Sequence, residues 1–235
     1  MNTRIRALLA VSAALLIAAG LALAGCSAPQ QPAAEPPASE QTATAPPAAE
    51  QPATNSQGET LYTPVYQPNG KETAKIKTSK GVIVVKLFGK DAPIHVGNFV
   101  ELAQKGFYDN TKYHRFEEGF VIQGGDPQTR DLTSEQVQQA VKTGNPPLGT
   151  GGPGYVIKGE FDPAVNPQKH VKGALGMART NDPDSAGSQF YFALEALPML
   201  DGQYTVFGVI TEGQGVADAL RVGDTIESVT IDNAN

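Results

Sequence analysis

Short β-type segments, separated from one another by glycine, proline, asparagine or aspartate, set the strongest limit on how this 235-residue chain can fold. The clearest segment is 81–88, with the sequence GVIVVKLF. β-branched and aromatic residues favour strands, whereas the intervening residues favour turns. This pattern predicts eight strands, at residues 73–78, 81–88, 120–123, 155–158, 173–178, 189–194, 205–210 and 226–232.

Two further segments have the spacing of helices. Residues 91–106 offer Asp91 as a cap and Pro93 in the first turn, followed by one apolar face that ends before Gly106. A shorter helix is predicted at residues 215–220. The strands and helices together favour a mainly β fold, a closed eight-stranded antiparallel β-barrel capped by two α-helices. Periodicity alone does not separate this barrel from a β-sandwich.

A polar insertion, residues 127–148, interrupts the β-type pattern. Thr133 and Gln136 have the spacing of a capping box, a short apolar stripe follows, and Gly144 can end a helix. We therefore predict a short extra helix in this insertion. Three roles remain open for it: a plain surface element, the rim of a binding groove, or a contact with a partner.

The N-terminus is typical of an exported protein. Residues 1–25 begin with Arg4 and Arg6 and continue with an apolar run from 7 to 24. The four residues 23–26, LAGC, resemble a bacterial lipobox, after which the signal is removed and Cys26 is lipidated. This predicts a lipoprotein of the bacterial cell envelope, anchored through fatty acids such as palmitate on its extracytoplasmic side. An uncleaved membrane anchor and simple secretion are the alternatives.

The segment that follows Cys26 predicts a tether. From residue 27 to residue 60 there is no Val, Ile, Leu, Met, Phe, Tyr or Trp, so the segment cannot bury enough apolar area to fold. We predict a disordered Ala/Pro-rich spacer over residues 26–71, with a Pro-rich ligand for another protein as the minor alternative. The domain organisation is then a signal peptide at 1–25, the tether, and a folded domain at 72–235.

Several classes of function are disfavoured by the composition. The net charge is −6 with no basic run, so nucleic acid is not an expected partner. One Cys and three His make a zinc cluster improbable. The glycines at residues 149–154 match a dinucleotide motif in spacing, but Pro153 lies inside it and a β-type segment follows. We predict no cofactor and no metal.

Three segments place polar side chains among apolar ones: 113–126 (YHRFEEGFVIQGGD), 170–194 (containing GALGMA and GSQFYFAL) and 197–208 (LPMLDGQYTVFG). In the order and spacing of all three, residues 73–232 strongly resemble the cyclophilin family of peptidyl-prolyl isomerases. The resemblance implies an eight-stranded barrel with two capping helices. It also implies cis–trans isomerase (rotamase) activity on X–Pro bonds without a cofactor, with proline-containing polypeptides as partners.

The resemblance also implies the residues of the site. Arg115 matches the family's catalytic arginine, which stays protonated and therefore acts as an electrostatic donor; a surface ion pair with Glu117 or Glu118 is the alternative. Gln123 and Phe120 complete the catalytic group. The implied substrate-binding residues are Val121, Ala178, Arg179, Gln189, Tyr191, Met199, Leu200 and Tyr204.

Five of these residues depart from the family's usual pattern. Met199 stands where Trp is common, Tyr191 where Phe is, Tyr204 where His is, Val121 where Met is, and Arg179 where Asn is. We expect these changes to reduce affinity for cyclosporin-type ligands more than catalysis. The chain is thus interpreted as a monomeric prolyl isomerase that assists the folding of exported proteins. The alternatives are a catalytically weak proline-peptide-binding or chaperone module and a carrier of apolar ligands.

Overall fold

A computed structural model describes residues 52–234 of the chain. The predicted signal peptide, Cys26 and most of the predicted tether lie outside these residues. The helices are α1 (Pro93–Gln104), α2 (Ser134–Thr143) and α3 (Gln214–Ala219), with single 3-10 turns at Pro127–Thr129 and Pro198–Leu200. The strands are β1 (Thr73–Thr78), β2 (Gly81–Leu87), β3 (Thr111–Lys112), β4 (Arg115–Phe116), β5 (Val121–Gly124), β6 (Ala174–Met177), β7 (Phe190–Ala193), β8 (Val206–Glu212) and β9 (Thr225–Asp232).

The described strands form one antiparallel sheet in the order β3-β9-β1-β2-β8-β6-β7-β5-β4. The sheet curls into an open half-barrel whose edge strands, β3 and β4, are consecutive in the chain. Tyr113 and His114 connect them: the Tyr113 N–H donates to Asp224 O and the His114 N–H to Gln123 O. The mainly β prediction is therefore confirmed. The prediction of eight strands in a closed barrel is wrong, because within residues 52–234 nine strands form an open order.

The strand count differs from the prediction at three places. Seven predicted strands are present, but residues 155–158 make only isolated bridges, from Val156 to Leu61 and from Ile157 to Ala186. The two additional strands, β3 and β4, contain two residues each. Two residues carry no measurable alternation of apolar and polar side chains, so a sequence pattern cannot reveal strands this short.

Helix α1 is buried more completely than one apolar face would allow. All nine residues from His95 to Ala103 are buried, although the sequence predicted a single buried face. The buried side chain of Asn98 is satisfied: its Nδ2 donates to Gly187 O at 2.7 Å, and its Oδ1 accepts from Tyr155 Oη at 2.8 Å. Polar side chains can lie inside when they are hydrogen-bonded, and hydrophobic periodicity does not reveal such positions.

The N-terminus of α1 is capped by a residue far away in the sequence. The predicted cap, Asp91, instead accepts from Gln168 Nε2 at 2.7 Å. The N–H groups of Ile94 and His95 donate to the carboxylate of Glu160 at 3.0 and 2.9 Å, and His95 Nδ1 lies 2.7 Å from the same carboxylate. The free N–H groups of the first turn are therefore satisfied across the fold.

This arrangement predicts which carboxylate stabilises the helix. Glu160→Ala should lower the free energy of unfolding by about 2 kcal/mol, because it leaves two helix N–H groups without a carboxylate. Asp91→Ala is the matched control and should have less than half of this effect. Urea denaturation of both variants measures the difference, and a larger loss for Asp91→Ala would contradict the assignment of the cap.

Folded structure begins earlier than the sequence predicted. Thr54 pairs with Thr60, and the N–H of Tyr62 donates to Val156 O at 2.8 Å. Glu101 of α1 holds the same segment, accepting from Tyr62 Oη at 2.6 Å and from the N–H of Val65 at 2.6 Å. In the structure, residues 54–71 thus belong to the folded unit and not to a tether that extends to residue 71. These polar contacts act together with Tyr62 and Tyr66, which pack against the core. The lack of large apolar residues up to residue 60 did not indicate the pairing of Thr54 with Thr60.

Candidate functional site

A groove runs across one side of the sheet and consists of two adjoining cavities. The first, about 570 Å³, is lined by nine of the predicted site residues: Arg115, Phe120, Val121, Gln123, Ala178, Arg179, Tyr191, Leu200 and Tyr204. The second, about 690 Å³, is lined by the remaining glutamine, Gln189, and by residues 58–60 of the N-terminal segment. Gln123, Gly149, Ala178 and Arg179 line both cavities, which we therefore treat as one groove.

Met199 is the predicted site residue that does not line the groove. It lies in the 3-10 turn with Leu200, and its side chain is 61% exposed. Successive residues of a 3-10 turn point about 120° apart, because the turn contains three residues. Leu200 therefore faces the cavity while Met199 faces solvent, and the predicted contact of Met199 with substrate has no geometric support.

Arg115 lies at the edge of the first cavity, opposite Gln123 in the β4–β5 ladder. Its Nη1 donates to Gln123 Oε1 at 3.2 Å, and its Nε and Nη2 donate to Glu117 Oε1 at 2.9 and 2.6 Å. The guanidinium carbon is 5.7 Å from the centre of the Phe120 ring. The ion pair with Glu117 thus coexists with a position in the groove. Of the five N–H groups of the guanidinium, two have no partner among the described residues.

A relay of amides orients the partner of Arg115. Gln123 Nε2 donates to Gln189 Oε1 at 2.9 Å, and Gln189 Nε2 donates to Gly151 O at 2.8 Å. Because each amide donates to the next acceptor, Gln123 presents its oxygen to Arg115. Both predicted glutamines therefore position the arginine, and Gln189 also lines the second cavity.

The floor of the first cavity is apolar. Val121 and Tyr191 are buried in a cluster against which Phe120, Leu200 and Tyr204 pack. The rings of Tyr191 and Tyr204 meet edge to face, with centroids 6.3 Å apart. A proline ring is apolar and rigid, so a floor of this kind can hold it while the adjoining amide turns.

The close approach of β6 to β7 requires glycine beneath this floor. Gly176 lies opposite Tyr191 in the β6–β7 ladder, and a Cβ at residue 176 would clash with the Tyr191 ring. The outer end of the Tyr191 ring can therefore lie close to the β6 backbone at Gly176. The sequence segment GALGMA thus contributes directly to the shape of the floor.

The hydroxyl of Tyr191 begins a buried polar chain that the sequence did not reveal. Tyr191 Oη lies 2.9 Å from His170 Nε2, and His170 Nδ1 lies 3.0 Å from Asp201 Oδ1. The His170 N–H also donates to Asp201 Oδ1 at 2.8 Å. Tyr191 stands where the family commonly has Phe, and the sequence does not indicate a partner for the additional hydroxyl. These three residues are separated by 10 to 31 positions, so no local pattern could join them.

Burial lowers the pKa of two histidines next to the groove. Desolvation lowers the pKa of His170 below its usual 6.5, against the opposing effect of Asp201. Desolvation likewise lowers the pKa of His114, against the opposing effect of Asp126. Both rings are therefore expected to be neutral in the folded protein at neutral pH.

A pH dependence of stability follows from these lowered pKa values. As the pH falls through 6.5, histidines of the unfolded chain take up protons before those of the folded protein do. The free energy of unfolding should therefore fall between pH 7.5 and 5.5, measured by urea denaturation at both values. The free energy of unfolding of His170→Gln should fall less over this interval. The difference between this variant and the parent gives the contribution of His170, separate from the effect of the changing net charge. An equal loss in both proteins would contradict the assignment.

Arg179 contributes mainly through stacking and backbone contacts. Its Nε and Nη2 donate to Gln203 O at 3.0 and 2.7 Å, and its Nη1 donates to Thr180 O at 2.7 Å. The guanidinium carbon is 4.6 Å from the centre of the Tyr204 ring. The side chain therefore braces the rim of the groove where the two cavities meet.

Sequence reasoning missed several residues of the groove. His114 lines the first cavity, as do five residues of α2 and the loop after it: Ala140, Val141, Gly144, Pro147 and Leu148. The helix itself was predicted, and its capping box and its Gly144 terminus are both present. The sequence did not indicate that α2 lines the groove, because helix periodicity does not specify the surface on which a helix lies.

Among residues 52–234, no group of three or more His, Cys, Asp or Glu side chains is arranged to hold a metal ion. Over the same residues, no helix has the length and apolarity to cross a bilayer.

Comparison with known proteins gives consistent similarities. A family model described as cyclophilin type peptidyl-prolyl cis-trans isomerase/CLD matches residues 73–235. A peptidyl-prolyl cis-trans isomerase of Helicobacter pylori is 45% identical over 163 residues, which cover 68% of this chain and 87% of the relative. Peptidyl-prolyl cis-trans isomerase B of Bacillus subtilis is 39% identical over 150 residues, which cover 64% of this chain and 90% of the relative. A cyclophilin type isomerase of Cryptosporidium parvum was crystallised in the presence of the dipeptide Ala-Pro. Its structure matches this one with a TM-score of 0.55 and 27% sequence identity, and the match covers 68% of this chain and 99% of the other.

Proposed function

Since this chain belongs to the cyclophilin-type family and is a peptidyl-prolyl cis-trans isomerase, we propose that it acts on X–Pro bonds of exported polypeptides through Arg115 and the apolar floor beside it. The observation that carries the proposal is the position of Arg115. It is a permanent cation with two free N–H groups, held at the edge of a cavity whose floor fits a proline ring.

The chemistry requires no covalent intermediate. Rotation about an X–Pro bond meets a barrier of about 18–20 kcal/mol, set by amide resonance. In the twisted transition state the prolyl nitrogen becomes pyramidal and regains its lone pair. A guanidinium N–H aimed at this nitrogen stabilises the twisted form more than either planar form, which is differential binding of the transition state. Each tenfold gain in rate needs about 1.4 kcal/mol, within reach of one charge-assisted hydrogen bond.

The other residues of the groove would bind the substrate and position Arg115. Phe120, Val121, Tyr191, Leu200 and Tyr204 hold the proline ring. Gln123 and Gln189 keep the guanidinium in place through the amide relay. Ala178 and Arg179 line both cavities, so a polypeptide that extends away from the proline would pass beside them.

Catalysis itself has a direct test. The full chain should accelerate cis–trans exchange of a short X–Pro peptide, measured by NMR exchange spectroscopy against the uncatalysed rate. A folded protein that binds the peptide without accelerating exchange would overturn the catalytic proposal and leave a proline-peptide-binding or chaperone module.

We propose that the enzyme works at the cell envelope as a lipoprotein. Support comes from the export-type residues 1–25 and the lipobox-like sequence that ends in Cys26. Radiolabelled palmitate should be incorporated into the parent and not into Cys26→Ala, and the label should sediment with membranes. Unchanged labelling of the Cys26→Ala variant would overturn the proposed anchor.

The expected partners are proline-containing polypeptides, and the relative from Cryptosporidium parvum, crystallised in the presence of Ala-Pro, supports this class. We also expect a monomer, no binding of nucleic acid, and weaker binding of cyclosporin-type ligands than in family members with the common pocket residues. The exposed position of Met199 supports the last expectation, since its side chain adds no wall to the cavity.

A further inference from the structure

The insertion lines one side of the cavity that holds Arg115. Three of its apolar residues, Val141, Pro147 and Leu148, are among the lining residues, and we call them the insertion wall. Val141 is 44% exposed and Leu148 is partly exposed. Apolar surface is therefore open to solvent beside the predicted catalytic arginine.

The helix that carries Val141 is fastened to the body of the protein. Val137 is fully buried beneath it. Ser134 Oγ donates to Gly223 O at 2.8 Å, and Gln138 Nε2 donates to Val222 O at 3.1 Å. Helix α2 is thus held against the loop before β9 by two hydrogen bonds, and it buries the side chains of Val137 and Ala140.

The end of the insertion is fastened independently. The Gly149 N–H donates to Asp126 Oδ2 at 2.6 Å, and the Gln128 N–H donates to Asp126 Oδ1 at 2.8 Å. Asp126 is fully buried, so a single carboxylate joins the beginning and the end of the insertion. A surface held at both ends needs little ordering when a ligand binds.

The charges around the cavity favour an apolar ligand group at this wall. Of the residues that line the cavity, only Arg115 and Arg179 carry a full charge, since His114 is neutral at neutral pH. Arg115 is already paired with Glu117, and Arg179 is covered by backbone carbonyls and the Tyr204 ring. The wall itself offers a substrate only apolar contact, which is favourable for aliphatic side chains.

We propose that the insertion wall is a specificity-determining subsite: an aliphatic side chain flanking the substrate proline packs on Val141, Pro147 and Leu148. This inference rests on the proposed binding of the proline in the same cavity. The wall is continuous with that binding site, so a bound polypeptide would cover the exposed surface of Val141 and Leu148.

The test uses two series of proline peptides with Gly, Ala or Leu at one flanking position. One series varies the residue before proline and the other varies the residue after it. In one of the two series, the kcat/KM of the parent should be higher for the Leu peptide than for the Gly peptide. In the double variant Val141→Ser/Leu148→Ser this preference should fall by about fivefold, the effect of losing part of an aliphatic contact. The loss on the Gly peptides should be smaller than the loss on the Leu peptides, because Gly has no side chain to pack on the wall.

The matched control is Val82→Ser, since Val82 is similarly exposed at 47% and does not line the groove. It should keep the parent's preference. An unchanged preference in the double variant, or an equal loss on every peptide, would overturn the role of the wall while leaving the isomerase proposal intact. A parent without turnover on any peptide would instead overturn the catalytic proposal. NMR titration with the same peptides would then test the wall through binding alone.

Discussion

Replacing Arg115 with alanine is expected to lower kcat/KM for X–Pro peptides by about 10²–10³-fold, with the fold unchanged. Removal of one well-placed donor to a transition state has effects of this size in other enzymes. The Arg115 side chain is 46% exposed and that of its ion-pair partner, Glu117, is 52% exposed, so neither is part of the core. The substitution removes one donor from Gln123 Oε1 and leaves the hydrogen bond from Gln123 to Gln189 in place. The measurement is NMR exchange at several peptide concentrations.

The effect should lie in the chemical step more than in binding. In the proposed mechanism Arg115 acts on the turning bond while the floor residues hold the proline ring, so kcat should fall more than KM rises. Arg221→Ala is the matched control, because Arg221 also stacks on a phenylalanine, at 4.3 Å from the Phe116 ring, and does not line the groove. Equal effects of the two substitutions would refute a catalytic role of Arg115.

Phe99→Ala is expected to lower the free energy of unfolding by about 3–5 kcal/mol, as is typical when a buried phenylalanine is truncated. Phe99 is fully buried in α1. Its ring centroid lies 5.1 Å from that of Tyr108, 5.7 Å from that of Phe190 and 5.4 Å from that of Phe207. The substitution therefore leaves a cavity where the helix meets the sheet.

Urea denaturation of the parent and the variant measures this loss. Phe161→Ala is the control, because Phe161 is only partly buried, and its loss should be less than about 1 kcal/mol. Since domains of this size are stable by about 5–15 kcal/mol, the Phe99 variant should unfold at a much lower urea concentration. Similar midpoints for the two variants would contradict the central position of Phe99 in the core.

Local patterns predicted the elements whose determinants lie within a few residues. Strand β1 has the predicted bounds, and β2 differs by one residue. Helix α2 has its capping box at Thr133 and Gln136 and ends at Gly144, as predicted. Hydrophobic alternation and capping depend on neighbours in the chain, so these features could be read before any tertiary contact was known.

Most of the residues that the motif resemblance assigned to the site do line the groove. Ten of the eleven predicted catalytic and substrate-binding residues line its two cavities. Met199 is the exception, because the rotation of a 3-10 turn turns it outward beside Leu200. A motif specifies which residue types follow one another, whereas the direction of each side chain depends on the local backbone.

The sequence by itself determined the strand-rich fold class, the short helices, and the segments that carry the arginine, the glutamines and the apolar floor. Only the tertiary structure decided four features: the open nine-stranded order, the cap that Glu160 supplies to α1, the chain from Tyr191 through His170 to Asp201, and the side of the groove that the insertion covers. Each of these four depends on contacts between residues far apart in the chain. Such contacts form when curled strands bring distant polar groups together, and hydrophobic periodicity contains no information about which of those groups will meet.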